Sequence, residues 1–227
     1  MKLTIMGASG LIGTKAVALL GAEGHEVVAA SRSTGADVLT GDGIATALAD
    51  ADVVIDVTNS PSFEDDPVLE FFTKSTTNLA AAARDAGVGH YVALSIVGVD
   101  DLPESGYMRS KVAQERLVKE SGLPYSIVRA TQFVEFTDAI VESLTDGDTV
   151  RVPDALIQPI AADDVAAEVV RAAVGEPING IENVGGPEQL SFAELARRNA
   201  ADKTIVVDLD ARYFGSPLQQ TSLVITD

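Results

Sequence analysis

Met1-Lys2-Leu3-Thr4-Ile5-Met6-Gly7-Ala8-Ser9-Gly10-Leu11-Ile12-Gly13 opens the chain. A short apolar strand at residues 3–6 runs straight into three glycines spaced three apart, and then into a helical run over residues 11–20. A dinucleotide pyrophosphate needs this combination. Glycine permits the tight turn, and its missing side chain lets the backbone N–H groups of residues 7–13 reach the phosphates. The N-terminus of the following helix favours negative charge. The spacing is G-x-x-G-x-x-G, so it meets the logic of the dinucleotide fingerprint but not its letter. The alternative is a merely structural strand-to-helix turn, of the sort also found in sugar and flavin proteins.

The second strand, expected over residues 26–30, is a near-continuous apolar run, as in a buried parallel strand. A site selective for NAD places a carboxylate at its end for the ribose 2′-OH. Here the chain reads Ser31-Arg32-Ser33. The planar guanidinium of Arg32 can pair with a 2′-phosphate and the two serines can add hydroxyls, so NADP(H) is expected over NAD(H). A solvated surface arginine is the bland alternative.

The length of 227 residues fits one α/β unit, with a core over about 1–130 and a small lobe over about 131–227 interleaved with the end of the sheet. A net charge of −18 argues against nucleic acid and anionic membrane as partners, and leaves a small-molecule substrate. With no cysteine and only His25 and His90, thiol nucleophiles are excluded and no metal is expected. The opening apolar stretch is too short and too glycine-broken for a signal peptide, and no run reaches membrane-spanning length. A cytoplasmic location is the expectation.

Strand and helix signals alternate, as in a doubly wound parallel sheet. Beyond the first two strands, further ones are expected at 52–57, 91–95 and 125–128, with helices near 43–49, 67–85 and 106–121. Five or six parallel strands are thus expected by about residue 130. The lobe should then hold helices at 132–144, 163–174 and 191–200 and strands at 149–152, 180–184 and 204–207. Ser191 should cap the last helix, with Glu194 three residues on.

Three residues make a plausible active site. Ser95 ends a strand at the carboxyl edge of the sheet, and Tyr107 and Lys111 stand four apart on the next helix. A free phenol titrates near pH 10, too high to trade protons easily, and a neighbouring ammonium favours its phenolate. Ser95 would hold the substrate oxygen while hydride moves. A Tyr–Lys pair at this spacing is also an ordinary helix-surface contact. The stretch after the strand at 125–128 must begin by facing the crevice, which brings Thr131 and Gln132 to the substrate side. Phe133 and Phe136 either wall that side or pack beneath the helix.

The chain resembles the atypical, NmrA-like branch of the short-chain dehydrogenase/reductase superfamily, which includes NAD(P)H-dependent quinone and triphenylmethane reductases. The likeness is carried by the glycine turn, Asp52-Val53-Val54-Ile55-Asp56, Tyr91-Val92-Ala93-Leu94-Ser95, Tyr107-Met108-Arg109-Ser110-Lys111, Pro124-Tyr125-Ser126-Ile127-Val128-Arg129 and Gln158-Pro159-Ile160-Ala161-Ala162-Asp163-Asp164-Val165-Ala166. It implies a Rossmann fold that binds NAD(P), with Ser95, Tyr107 and Lys111 in the catalytic positions. By the same resemblance Thr58, Asn59 and Ser60 pass the inner ribose and Asp42 lies near the adenine. Asn78 is the candidate for the family's catalytic asparagine. The expected activity is NADPH-dependent reduction of a carbonyl, quinone or similar conjugated molecule. The alternatives are a non-catalytic NADP-binding redox sensor and an epimerase or dehydratase that retains its cofactor.

Overall fold

The computed structural model describes residues 1–226. In chain order the elements are β1 (Lys2–Met6), α1 (Leu11–Ala22), β2 (Glu26–Ala30), α2 (Ile44–Ala47), β3 (Val53–Asp56), α3 (Asp65–Asp85), β4 (His90–Ile96), α4 (Gly106–Glu120) and β5 (Tyr125–Ala130). There follow α5 (Thr137–Ser143), β6 (Thr145–Asp146), β7 (Thr149–Val152), β8 (Leu156–Ile157), α6 (Ala162–Val174), β9 (Gly180–Val184), β10 (Leu190–Ser191), α7 (Phe192–Asn199) and β11 (Thr204–Val207).

Six strands form one parallel sheet in the order β2-β1-β3-β4-β5-β9. The Rossmann-type α/β expectation is met. Both faces of β1, β3 and β4 are covered, which explains their apolar runs, whereas β2, expected to be a buried strand, lies at the sheet edge and buries only Ala30. Leu3 and Ile5 pack with α1 and α6 on one face, while Met6, Val54 and Tyr91 pack with α2, α3 and α4 on the other. In α6, Ala162, Val165, Ala166, Val169 and Val170 make a buried stripe at helical spacing. The chain leaves β1 for β2 on one side and returns to β3 on the other. The carboxyl ends of β1 and β3 therefore open a crevice at the switch point.

Only five of the parallel strands precede residue 130, and the sixth, β9, arrives after α6. The helix expected over 132–144 is shorter. Gln132 and Phe133 stay extended because the Ile160 N–H donates to the Gln132 carbonyl and the Val134 N–H to the Ile160 carbonyl, both at 2.9 Å. This tertiary pairing outcompetes local helix formation, and α5 proper starts at Thr137. The third apolar cluster lies under α5, α7, β7 and the C-terminal segment, which returns to β8 through Leu223. Ser191 caps α7 as expected, its hydroxyl accepting from the Glu194 N–H at 3.1 Å.

Gly13 is crowded by backbone alone: a Cβ there would sit 2.2 Å from the Gly7 carbonyl oxygen, whereas Gly21 in the same helix faces open space. Gly13→Ala is expected to lower stability by about 2–3 kcal/mol, roughly 5–10 °C in Tm for a chain of this size. Gly21→Ala should raise it by up to about 1 kcal/mol. Thermal melts of both variants check the contrast, and equal melts would mean that the turn tolerates a side chain.

Candidate functional site

A cleft of about 940 Å³ runs along the carboxyl edge of the sheet, from the glycine turn to the C-terminal segment. At its first end Gly7 has φ +88°, and a Cβ there would stand 2.8 Å from the Val57 carbonyl oxygen. The Gly7 and Ala8 N–H groups are held by the Ala30 carbonyl at 3.0 and 3.1 Å. Gly7, Ser9, Gly10, Leu11 and Ile12 line the cleft. Gly10 caps α1 without a side chain, so the first-turn amides of the helix receive no side-chain cap. A Cβ on Gly10 would meet only the Gly7 carbonyl, at 3.3 Å. Bare backbone, a helix start and a large cleft fit a pyrophosphate. Ala8 and Gly13 are not on the cleft wall and serve the turn from beneath, Ala8 in the core and Gly13 against Gly7.

Ser31 and the exposed Arg32 also line the cleft. Among the described residues no carboxylate forms an ion pair with Arg32. Ser33 points its hydroxyl at Ser31 (2.8 Å) and lies off the wall. The adenine-side assignment of Asp42 needs correction. Its carboxylate accepts from the Thr40 hydroxyl at 2.9 Å and lies outside the cleft, whereas Asp37, Val38 and Leu39 line it. The sequence signal overlooked was an acidic residue followed by two apolar ones shortly after the second strand. Asn78 is no part of the catalytic group either, since its amide donates to the carbonyls of Val38 and Leu39 and fixes this segment.

The strand end at β3 is organised by the buried Asp56. Its Oδ1 accepts from the Thr58 N–H and hydroxyl at 3.1 and 2.6 Å, and its Oδ2 from the Tyr91 hydroxyl and the Gln114 amide at 2.9 and 3.0 Å. Thr58 and Asn59 thereby reach the cleft; Ser60 is turned away, and Pro61 lines the wall instead. Burial first, then the charge of Asp56, pushes the Tyr91 phenol well above its ordinary range.

Ser95, Tyr107 and Lys111 all line the cleft, beyond the turn. The Tyr107 hydroxyl donates to Asn59 Oδ1 at 2.9 Å. Burial pushes its pKa up to about 12 against the opposing effect of that bond. The expected lowering of the phenol pKa by Lys111 is absent. The ammonium points into the protein, bonded to the Leu94 carbonyl (2.7 Å) and the Gln114 side-chain oxygen, 4.6 Å from the centre of the Phe72 ring. Burial pulls Lys111 down to about 8, even though Asp56 and Glu115 favour its charge. The Ser95 hydroxyl donates to Glu115 at 2.6 Å, so its proton is turned from the cleft. Glu115 holds a bidentate pair with Arg129, both bonds 2.7 Å, and Arg129 also meets Asp100 at 2.8 Å. Burial raises the Glu115 carboxyl, but bonds from Arg129 and Ser95 outweigh this and hold it below its usual range. Glu115, Gln114 and Arg129 were not singled out in the sequence. Their spacing on α4 puts Lys111, Gln114 and Glu115 on one buried face, a polar stripe where apolar residues are the norm.

At the far end, Thr131, Gln132, Phe133 and Phe136 line the cleft, the two rings stacked at 5.6 Å. Tyr213, Phe214 and Ser216 complete the wall from the C-terminal segment. Nothing in the hydrophobic patterning marked that segment, because its contacts come from an irregular turn. Among the described residues no His, Cys, Asp and Glu cluster could hold a metal, and no helix is long and apolar enough to cross a membrane.

A strand, a glycine turn and a helix start at a sheet switch point, with a tyrosine and a lysine along the same cleft, are the geometry of a nucleotide-binding class of protein. A family model described as NAD(P)H-binding matches residues 7–176, and the chain belongs to that family. It is 30% identical over 206 residues to a (4-alkanoyl-5-oxo-2,5-dihydrofuran-3-yl)methyl phosphate reductase of Streptomyces griseus, covering 84% of this chain and 70% of the relative. Identity to the chloroplastic divinyl chlorophyllide a 8-vinyl-reductase of Cucumis sativus is 28% over 221 residues, 81% of this chain and 52% of that protein, so the chain spans about half its length. A dTDP-4-dehydrorhamnose reductase structure from Clostridium acetobutylicum shares the fold (TM-score 0.77, 20% identity, 99% of this chain and 90% of that one), as does a short-chain dehydrogenase/reductase superfamily protein from Agrobacterium tumefaciens (TM-score 0.70, 20% identity, 92% and 85%). The likeness to the short-chain dehydrogenase/reductase superfamily protein is therefore one of fold, and the family shown is the NAD(P)H-binding one.

Lys111 gives a pH signature. Its native pKa of about 8 lies below the ordinary 10.5, so between these values the unfolded chain binds a proton that the native protein does not. Stability contributed by this group then rises with pH across that window, by up to about 1.4 kcal/mol per unit. Wild-type protein should gain Tm relative to Lys111→Met between pH 8 and pH 10. Parallel Tm curves would place the charged ammonium comfortably in the fold.

Proposed function

We propose that this protein is an NADPH-dependent reductase of a small carbonyl, quinone or related conjugated compound. One observation carries this best: a single cleft joins Gly10 and Arg32 at one end to Tyr107 and an aromatic-walled space at the other. The turn at residues 7–13 would hold the pyrophosphate, Arg32 and Ser31 the 2′-phosphate, and residues 36–39 the base. Bound NADPH would supply hydride; for an aldehyde or ketone the overall reaction is NADPH + H⁺ + C=O → NADP⁺ + CH–OH, and for a quinone it is NADPH + H⁺ + quinone → NADP⁺ + hydroquinone.

Tyr107 keeps its proton at neutral pH because burial raises its pKa. It gives that proton to the substrate oxygen once its hydroxyl leaves Asn59. Lys111 acts from beneath by fixing the Leu94 carbonyl and Gln114, and thus the strand that carries Ser95. Ser95, its hydrogen engaged by Glu115, turns lone pairs rather than a proton to the cleft. It positions a donor such as the Tyr107 hydroxyl. The Streptomyces relative is named for reduction of a 4-alkanoyl-5-oxo-2,5-dihydrofuran that carries a methyl phosphate, which supports a conjugated carbonyl ring as the substrate class.

Arg32→Ala should weaken NADPH by about tenfold or more and leave NADH nearly untouched, since a charged hydrogen-bonded pair is worth about 1.5–3 kcal/mol. Calorimetry with both cofactors measures this, and equal affinities in the parent protein would remove the NADP preference. For the chemistry, Tyr107→Phe should keep NADPH affinity and lower kcat by about 10²–10⁴. Absorbance at 340 nm with ketones, aldehydes and quinones reads the rate. An unchanged kcat would leave the tyrosine a structural role.

A further inference from the structure

Ser95 has no hydrogen to offer the cleft. Its hydroxyl donates to Glu115 Oε1 at 2.6 Å, and that oxygen is fixed in turn by Arg129 Nε at 2.7 Å. A hydroxyl carries one hydrogen, so Ser95 meets a ligand only as an acceptor. Two other hydroxyls along the cleft are spent in the same way: Thr58 donates to Asp56 at 2.6 Å and Tyr213 to Gln132 at 2.8 Å. Ser105 stays at the backbone end of α4, where it caps the helix by accepting from the Met108 N–H at 3.3 Å. The Lys111 ammonium is held below the floor by the Leu94 carbonyl. A carbonyl oxygen that gathers charge during hydride transfer gains most from two donors, and none of these groups is placed to be the second beside Tyr107.

Asn59 is so placed. It is exposed and lines the cleft from the loop after β3. Its Oδ1 accepts from the Ser60 N–H and from the Tyr107 hydroxyl, both at 2.9 Å. A backbone N–H only donates, so the atom shared by these two bonds is the amide oxygen. Nδ2, on the same carbon, makes no hydrogen bond among the described residues, and its two hydrogens lie beside the phenol oxygen. The loop presents the amide firmly, because Asp56 holds the preceding Thr58 through both its N–H and its hydroxyl. Phe63, further along the same loop, packs on the Tyr107 ring at 5.4 Å.

We propose that Asn59 is a catalytic residue, whose Nδ2 donates a hydrogen bond to the substrate carbonyl oxygen that Tyr107 protonates, the part expected of the Ser95 hydroxyl. This rests on the reductase reading above and specifies its machinery. The carbonyl carbon receives hydride from bound NADPH, its C=O π pair moves to oxygen, and the oxygen takes the Tyr107 proton. Asn59 transfers nothing and stabilises the charge as it forms. The phenolate left on Tyr107 regains its proton from water.

The test combines absorbance at 340 nm, with 4-nitrobenzaldehyde, 2,3-butanedione and 9,10-phenanthrenequinone as probes, and calorimetry of NADPH binding. Asn59→Ala should lower kcat by about 10²–10³, the cost of one oxyanion donor, and keep NADPH affinity within about threefold. Ser95→Ala should cost at least about tenfold less, since that hydroxyl sends no hydrogen to the cleft. Asn59→Asp keeps the acceptor for Ser60 and Tyr107 and loses the donor. Its kcat deficit against the parent at the same pH should shrink by at least about threefold from pH 7.5 to pH 5, as a growing fraction of the carboxyl group is protonated and donates again.

An Asn59→Ala loss below about tenfold overturns the proposal. So does a Ser95→Ala loss that comes within about tenfold of it, or an Asn59→Asp deficit that is the same at both pH values. A loss that falls on NADPH affinity with kcat retained overturns it too, and leaves Asn59 at the ribose. A parent protein that binds no NADPH, or binds it and reduces none of the probes, overturns the reductase reading and this inference with it. Turnover by the parent without these variant effects overturns only the role of Asn59.

Discussion

Asp56 is the constraint on which the site depends. One buried carboxylate at the end of β3 accepts four hydrogen bonds, from the loop after its own strand, from the neighbouring strand and from α4. Each oxygen is satisfied twice, which is how a charge is tolerated in an interior. Through Thr58 the carboxylate shapes the loop that offers Asn59 to Tyr107, and through Gln114 it reaches the ammonium of Lys111. Removing it would strand a phenol, an amide and a hydroxyl at once, and the two sides of the cleft would lose their common anchor.

The polar stripe on α4 extends the same logic. Lys111, Gln114 and Glu115 occupy a face that packing alone would fill with apolar residues, and each reaches a strand end. Arg129 closes the set from β5, tying Ser95 to the loop at Asp100 through Glu115. The catalytic candidates are thus held by a second layer of charged hydrogen bonds. Tyr107 stands at its edge, with a single bond that a ligand can replace.

Much of the sheet was legible because its physics is local. Continuous apolar runs, the glycine spacing and the capped helix at Ser191 each announce themselves within a dozen residues. Asp42 and Asp37 could not be told apart this way, since both follow the second strand and only the course of an irregular loop separates them. The helix expected from Gln132 failed for a related reason: Ile160, nearly thirty residues on, claims the backbone of Gln132 and Val134. The orientations of Ser95 and Lys111 were equally hidden. Spacing put them near the cleft, but Glu115 and the Leu94 carbonyl decide where their protons point. Tyr213 and Ser216 lie in a turn without periodicity and carried no signal.

The late arrival of β9 and α6 bears on how the chain can be made. The first 130 residues contain the whole glycine turn and five strands, yet the face formed by Ile55, Val92 and Val128 is covered by α6, which begins only at Ala162. A nascent chain of that length has a bare apolar face and an unpaired edge along β5. It must wait for some fifty further residues, including those that wall the far end of the cleft, before the sheet can close. Closure of the sheet therefore precedes completion of the cleft, whose last wall residues, Tyr213, Phe214 and Ser216, follow β9 in the chain.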